Sequence, residues 1–167
     1  MREVARLLND MTRDGMIKAY AVFGAMAQMR YTEAVATLDA DILVSLDEQD
    51  PLALLAPVYR YCRERGYKPE GEAIRVGDWP VQFIPVYDEL TADALRDAET
   101  ADLDGEALRV IRADYLALIA LKTGRIKDHL RIHALVEAGA VTLPGLEKMS
   151  LKYGLQSACQ DFRRRFA

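Results

Sequence analysis

One short run of alternating apolar and acidic residues constrains this chain more than any other feature. In Thr37-Leu38-Asp39-Ala40-Asp41-Ile42-Leu43-Val44, the residues Leu38, Ala40, Ile42 and Val44 take every second position. That period of two reads as a β-strand, whose successive side chains point to opposite faces. Asp39 and Asp41 then project from one face, roughly 7 Å apart. Neighbouring carboxylates repel unless a cation joins them, and Mg²⁺ or Mn²⁺ is held by one or two carboxylates together with phosphate oxygens. Phe23-Gly24-Ala25 lies upstream, separated from Asp39 by thirteen residues. A glycine turn between an apolar strand and a helix offers backbone N–H groups to phosphate. The pairing points to a metal-dependent phosphate-handling site. The plainer alternative is that both acids mark the wetted face of an exposed strand.

Composition limits the setting of such a site. At 167 residues, with 51% hydrophobic and 29% charged residues, the chain suits one globular domain with a substantial core. A net charge of −4 argues against a general electrostatic nucleic-acid binder. Apolar runs stay well short of the roughly 18 residues that a membrane span needs. Met1-Arg2-Glu3-Val4-Ala5-Arg6 lacks the apolar segment of a signal peptide. The expectation is a cytoplasmic protein without membrane contact. Cys62 and Cys159 show no metal spacing and are expected to be idle thiols.

The expected class is mixed α/β. Periodicity predicts a helix over residues 3–10, a strand over 17–23, a short helix through Met26, Met29 and Tyr31, and then the acidic strand. Asp50-Pro51 is expected to open a helix that ends at Gly66. Strands over 73–76 and 81–84 form a hairpin at Gly77-Asp78-Trp79-Pro80. A helix from Thr91 and a last strand over 106–111 follow. Beyond Ala113 the pattern is helical. One stripe ends at Thr123-Gly124, a second helix covers 126–137, a third begins at Pro144, and a fourth follows Gly154 to Phe166. The expected division is an α/β core over 1–111 and a helical part over 112–167.

Four segments together resemble the nucleotidyltransferase superfamily related to DNA polymerase beta. They are Tyr20-Ala-Val-Phe-Gly24-Ala-Met-Ala, Thr37-Leu-Asp39-Ala-Asp41-Ile-Leu-Val, Val81-Gln82-Phe-Ile-Pro85 and Leu118-Ile-Ala-Leu-Lys122-Thr-Gly-Arg125-Ile-Lys127-Asp128. The resemblance spans about residues 16–136 and is nearest to small bacterial members, including the toxins of type IV toxin–antitoxin systems. It implies a nucleotidyltransferase-like mixed sheet flanked by helices. It also implies Mg²⁺ (or Mn²⁺) on Asp39 and Asp41, and transfer of a nucleoside monophosphate from an NTP to an acceptor hydroxyl. The acceptor stays open between RNA, protein and a small molecule, and an antitoxin would be a partner. By the same resemblance Gly24, Ala25, Gln82, Lys122, Arg125 and Lys127 would bind nucleotide, and Asp128 would act beside the two metal-binding acids.

Three positions depart from that pattern. Ala25 replaces the usual Gly or Ser, Gln82 stands where a third acid is common, and Arg131 stands where relatives carry a further Asp. These favour a rival reading, a catalytically decayed nucleotide-binding or protein-interaction module. Asp128 and Arg131 would then be a surface i,i+3 pair. His129 and His133, one helical turn apart, form a weaker metal candidate without the Glu of a His-Glu-x-x-His site. Trp79, Phe83 and Tyr87 are candidates for base stacking or plain packing. Arg163-Arg164-Arg165 reads as a solvated helix end.

Overall fold

The computed structural model describes residues 1–33, 35–47, 54–103 and 105–166. Among these residues seven strands form one sheet in the order β3-β4-β5-β2-β1-β7-β6. They are β1 Ala19–Phe23, β2 Ala40–Ser45, β3 Lys68–Glu70, β4 Ala73–Val76, β5 Trp79–Pro85, β6 Glu99–Leu103 and β7 Glu106–Val110. Among the described residues eight helices accompany them: α1 Arg2–Arg13, α2 Gly24–Gln28, α3 Ala56–Glu64, α4 Glu89–Arg96, α5 Ala113–Thr123, α6 Ile126–Glu137, α7 Leu143–Lys152 and α8 Gln156–Phe166.

The central strands explain the acidic pair's place. β2 runs antiparallel to β1 and parallel to β5, with Asp41 opposite Phe23 on one side and Gln82 on the other. Ala40, Ile42, Leu43 and Val44 are buried, so the acids stand at the end of an otherwise apolar strand. That burial on both faces is what a central, partly parallel strand requires. α1 packs on β1 and β7, whereas α4 packs on β1 and β2 and in turn meets α5. α5 is buried from Tyr115 through Leu121, which explains why its sequence is apolar all round rather than striped.

Several sequence expectations shift. The acidic strand begins at Ala40, not at Thr37; Leu38 is 90% exposed, and Asp39 sits in the bend before the strand. Two short edge strands, β3 and β6, have no counterpart in the expected elements. The 73–76/81–84 hairpin forms as expected, with β5 extended to begin at Trp79. The helix opening on Thr91 begins instead at Glu89, with Asp88 as its cap and Thr91 completing a capping box. The helix start at Asp50-Pro51 lies outside the described residues. All four C-terminal helices fall close to their expected bounds. Among the described residues, no helix is long and apolar enough to cross a membrane.

Candidate functional site

The site begins at the end of β1. Gly24 follows Phe23 with φ at +66°, a left-handed conformation that glycine adopts without a Cβ clash. A Cβ built there would lie 2.2 Å from Asp41 Oδ2. The turn is therefore glycine for two reasons, its backbone conformation and the close approach of the acidic strand. Ala25 follows within α2, partly buried, and brings no side-chain polar group to the turn.

Asp39 and Asp41 are brought together but in unequal surroundings. Asp39 is exposed, with Thr37 Oγ1 donating to its Oδ1 at 3.3 Å. Asp41 is half-buried, and burial first, then the Asp39 charge, pushes its carboxyl above the ordinary value. Arg131, Lys127 and Arg125 pull in the opposite direction. Among the described residues, no hydrogen bond or ion pair holds the Asp41 carboxylate. Gln82 stands directly beside Asp41 in the parallel pair, as its alignment with a third-acid position implies. A cavity of about 630 Å³ opens beside this strand, lined by Tyr59, Arg63, Ile74, Gln82 and Phe83 among others.

The basic corner is split by the structure. Lys122 ion-pairs with Asp88, the cap of α4, and its ammonium is 6.0 Å from the centre of the Tyr87 ring. Arg125, Lys127 and Arg131 are the cations whose charge reaches Asp41. Arg125 and Lys127 are exposed.

Asp128 differs from a surface residue in every respect. It is 1% exposed. Its Oδ2 accepts the Arg125 backbone N–H at 3.2 Å and Arg125 Nε at 2.6 Å, while Oδ1 accepts Nη2 at 3.1 Å. Burial opposes ionisation, but these bonds and the Arg125 charge outweigh it and hold the carboxyl below its ordinary value. Arg131 Nη1 sits 3.5 Å from Asp128 Oδ1, and its Nε donates to Gln28 Oε1 at 3.1 Å. The surface-pair reading of Asp128 and Arg131 is thus replaced by a buried one. Gln28 is the residue that sequence reasoning missed as a site neighbour, and Arg131, noted only as a departure from the family pattern, is its partner. The signal was faint, since a lone Gln on a five-residue helix has no motif.

Among the described residues, no group of three or more His, Cys, Asp or Glu side chains could hold a metal. Two carboxylates alone suit Mg²⁺ or Mn²⁺, which complete their shell with phosphate oxygens and water. They do not suit an ion caged wholly by protein. The histidines do not converge: His129 packs on Phe162 and Phe166, and His133 Nδ1 is 3.2 Å from Glu137. Phe83 is buried edge-on against Tyr59, whereas Tyr87 is 59% exposed. Cys62 and Cys159 are buried free thiols, and burial pushes Cys62 up to about 11. At the end of α8, Arg163 pairs with Glu147 and Arg164 with Asp161, as expected of a solvated terminus.

No protein-family model matches the chain, and no curated protein matches its sequence. Solved structures do match its fold. A crystal structure of ANT(2'')-Ia in complex with adenylyl-2''-tobramycin superposes with a TM-score of 0.52 at 15% identity, covering 98% of this chain and 97% of that one. The solution structure of the resistance factor ANT(2'')-Ia gives 0.52 at 10% identity over the whole of both chains. An antigenic nucleotidyltransferase-like protein from Paracoccidioides brasiliensis gives 0.53 at 11% identity, covering 95% and 92%. The described residues therefore have a nucleotidyltransferase-like fold.

Proposed function

We propose that the protein is a metal-dependent nucleotidyltransferase that moves a nucleoside monophosphate from an NTP to an acceptor hydroxyl. The observation that carries this reading is the Asp41 carboxylate tucked against the Gly24 turn with three cations around it. Such an arrangement suits a triphosphate and its metal better than it suits a wetted strand face.

In the proposed reaction the acceptor hydroxyl oxygen attacks the α-phosphorus and gives up its proton to solvent water. The bond from that phosphorus to its β-bridging oxygen breaks, and pyrophosphate leaves with the electron pair. Asp39 and Asp41 would hold Mg²⁺, which when bound supplies charge neutralisation on the phosphate oxygens. The Gly24 turn admits a phosphate close to the backbone, because no Cβ stands in the way. Arg125 and Lys127, exposed at the start of α6, neutralise charge on the departing pyrophosphate. Lys122 is assigned a lesser part, because Asp88 already engages it. Asp128 fixes the Arg125 guanidinium by closing the N-terminus of α6 and is a positioning residue.

A second reading, a nucleotide-binding module without turnover, is favoured by Gln82, which cannot take the acceptor's proton. Incubating the protein with Mg²⁺, each α-labelled NTP, and RNA, protein or aminoglycoside acceptors separates the two. Label transfer supports the first reading. Saturable Mg²⁺–NTP binding without transfer to any acceptor class supports the second.

A further inference from the structure

Resting on the nucleotide-handling reading above, we propose that Arg131 is a built-in counter-charge to Asp41, which keeps divalent metal off the site until a triphosphate arrives. The argument begins with the anchoring of this guanidinium. Arg131 is held at two of its three nitrogens, Nε by Gln28 Oε1 at 3.1 Å and Nη1 by Asp128 Oδ1 at 3.5 Å. Its side chain is only 17% exposed, so it cannot swing freely into solvent. Gln28 is itself buried and lies one helical turn after Gly24, the residue that abuts Asp41 Oδ2. The chain Asp41–Gly24–α2–Gln28–Arg131 is thus a short, packed path that fixes where the positive charge sits.

Charge balance gives the consequence. Around the acids, Asp39, Asp41 and Asp128 are matched by Arg125, Lys127 and Arg131, so the ligand-free cluster is close to neutral. Gln82, beside Asp41, adds no further negative charge. A free divalent ion approaching Asp39 and Asp41 meets weak attraction, because the nearby cations offset the carboxylates at effective dielectric values near 20. A triphosphate carries about four negative charges, reverses the balance and brings phosphate oxygens to complete the metal's shell. Metal and nucleotide binding are then positively coupled, and by linkage each strengthens the other equally.

Removing one cation should move the two ligands in opposite directions, which a purely structural role would not do. The test is a paramagnetic Mn²⁺ titration of the full chain, alone and with an ATP analogue bearing a methylene between its α and β phosphorus atoms. In the wild type, the analogue should tighten Mn²⁺ binding by at least about tenfold. Arg131→Gln should tighten Mn²⁺ alone by about threefold to tenfold and weaken the analogue. Arg131→Lys should restore both values toward the wild type. Lys127→Gln, on the exposed surface and safe for folding, should shift both ligands in the same directions by a smaller factor. Weaker or unchanged Mn²⁺ binding in Arg131→Gln, or in Lys127→Gln where the first variant does not fold, overturns the inference. Binding that follows this sign pattern without transfer to any acceptor upholds it while removing the catalytic reading. Failure of the wild type to bind the analogue removes both.

Discussion

Asp41 and Asp93 each sit among cations, yet the molecule treats them in opposite ways. Asp93, on α4, is buried and takes bonds from Lys152, Arg96 and Tyr153, and Tyr153 Oη donates to Oδ2 at 2.8 Å. These partners hold its carboxyl down at about 2, with the Lys152 bond the leading cause. Asp41 is half-buried with no such bonds among the described residues, and its carboxyl is pushed up. A carboxylate with both oxygens engaged by charged and hydroxyl donors ties helices together and has little left for a ligand. One that is crowded by burial and a like charge, with cations near but not bonded, is poised to accept a partner.

Substitutions at the two positions test this contrast, and the largest expected effect is on activity. Changing Asp39 and Asp41 together to Asn should reduce nucleotidyl transfer by a factor of about 10³ or more, on the scale of losing transition-state charge stabilisation. Melting temperature without metal should hold or rise, because a repelling pair disappears. A fall in melting temperature with activity retained would reverse the assignment.

Asp93→Asn should do the converse. It loses charge-assisted bonds to partners that are half in solvent, so stability should drop by about 1–3 kcal/mol in denaturant titration. Transfer per folded molecule should not change. Loss of transfer in a folded Asp93→Asn protein would show that the α4–α7 network reaches the site.

Gly24→Ala sharpens the Asp41 side of the comparison. A left-handed alanine costs about 1–2 kcal/mol, and its Cβ also collides with Asp41 Oδ2. Both stability and Mg²⁺–NTP binding should fall, whereas Gly66→Ala, with φ at +85° but open space around it, should affect stability alone. Equal effects on binding would place Asp41 away from the turn.

The smallest effect is in pH dependence, and its sign separates the acids. Asp93, depressed in the folded state, contributes stability that is present above its ordinary value of 3.8 and lost as pH falls toward about 2. Asp41 is raised, so its ionisation costs stability as pH climbs above 3.8 through its folded value. Metal-free Asp41→Asn should therefore be slightly more stable than the parent at pH 7, with the gap closing in acid. A gap that widens in acid would mean Asp41 is paired.

Much of this arrangement was legible in the sequence. The Gly24 turn, the Asp39/Asp41 spacing and the β4–β5 hairpin follow from local signals, whereas the place of Gln82 beside Asp41 came from the family resemblance alone. Local signals failed where distant groups decide. β6 reads Glu-Thr-Ala-Asp-Leu, poor strand chemistry, and exists because β7 offers it an antiparallel edge. Asp39 left the strand because nothing covers Leu38. The alternative reading of Asp128 as half of a surface pair stayed open because its burial depends on the Arg125 side chain folding back and on Arg131 reaching Gln28, 103 residues away. Lys122 looked like a phosphate ligand because Asp88, its partner, lies 34 residues upstream in an unrelated element.

The seating of β1 bears on how the chain emerges from a ribosome. β1 lies between β2 and β7, and its parallel partner Val110 comes late, joined also by the Ile111 N–H to the Val22 carbonyl at 2.9 Å. While translation proceeds, the nascent β1–β2 pair therefore carries an open edge until β7 has left the exit tunnel. Open strand edges template pairing with other chains, and slow long-range closure prolongs that exposure. Nascent chains released by a stop codon before Val110 should thus aggregate or recruit chaperones, whereas release just after Ile111 should close the edge.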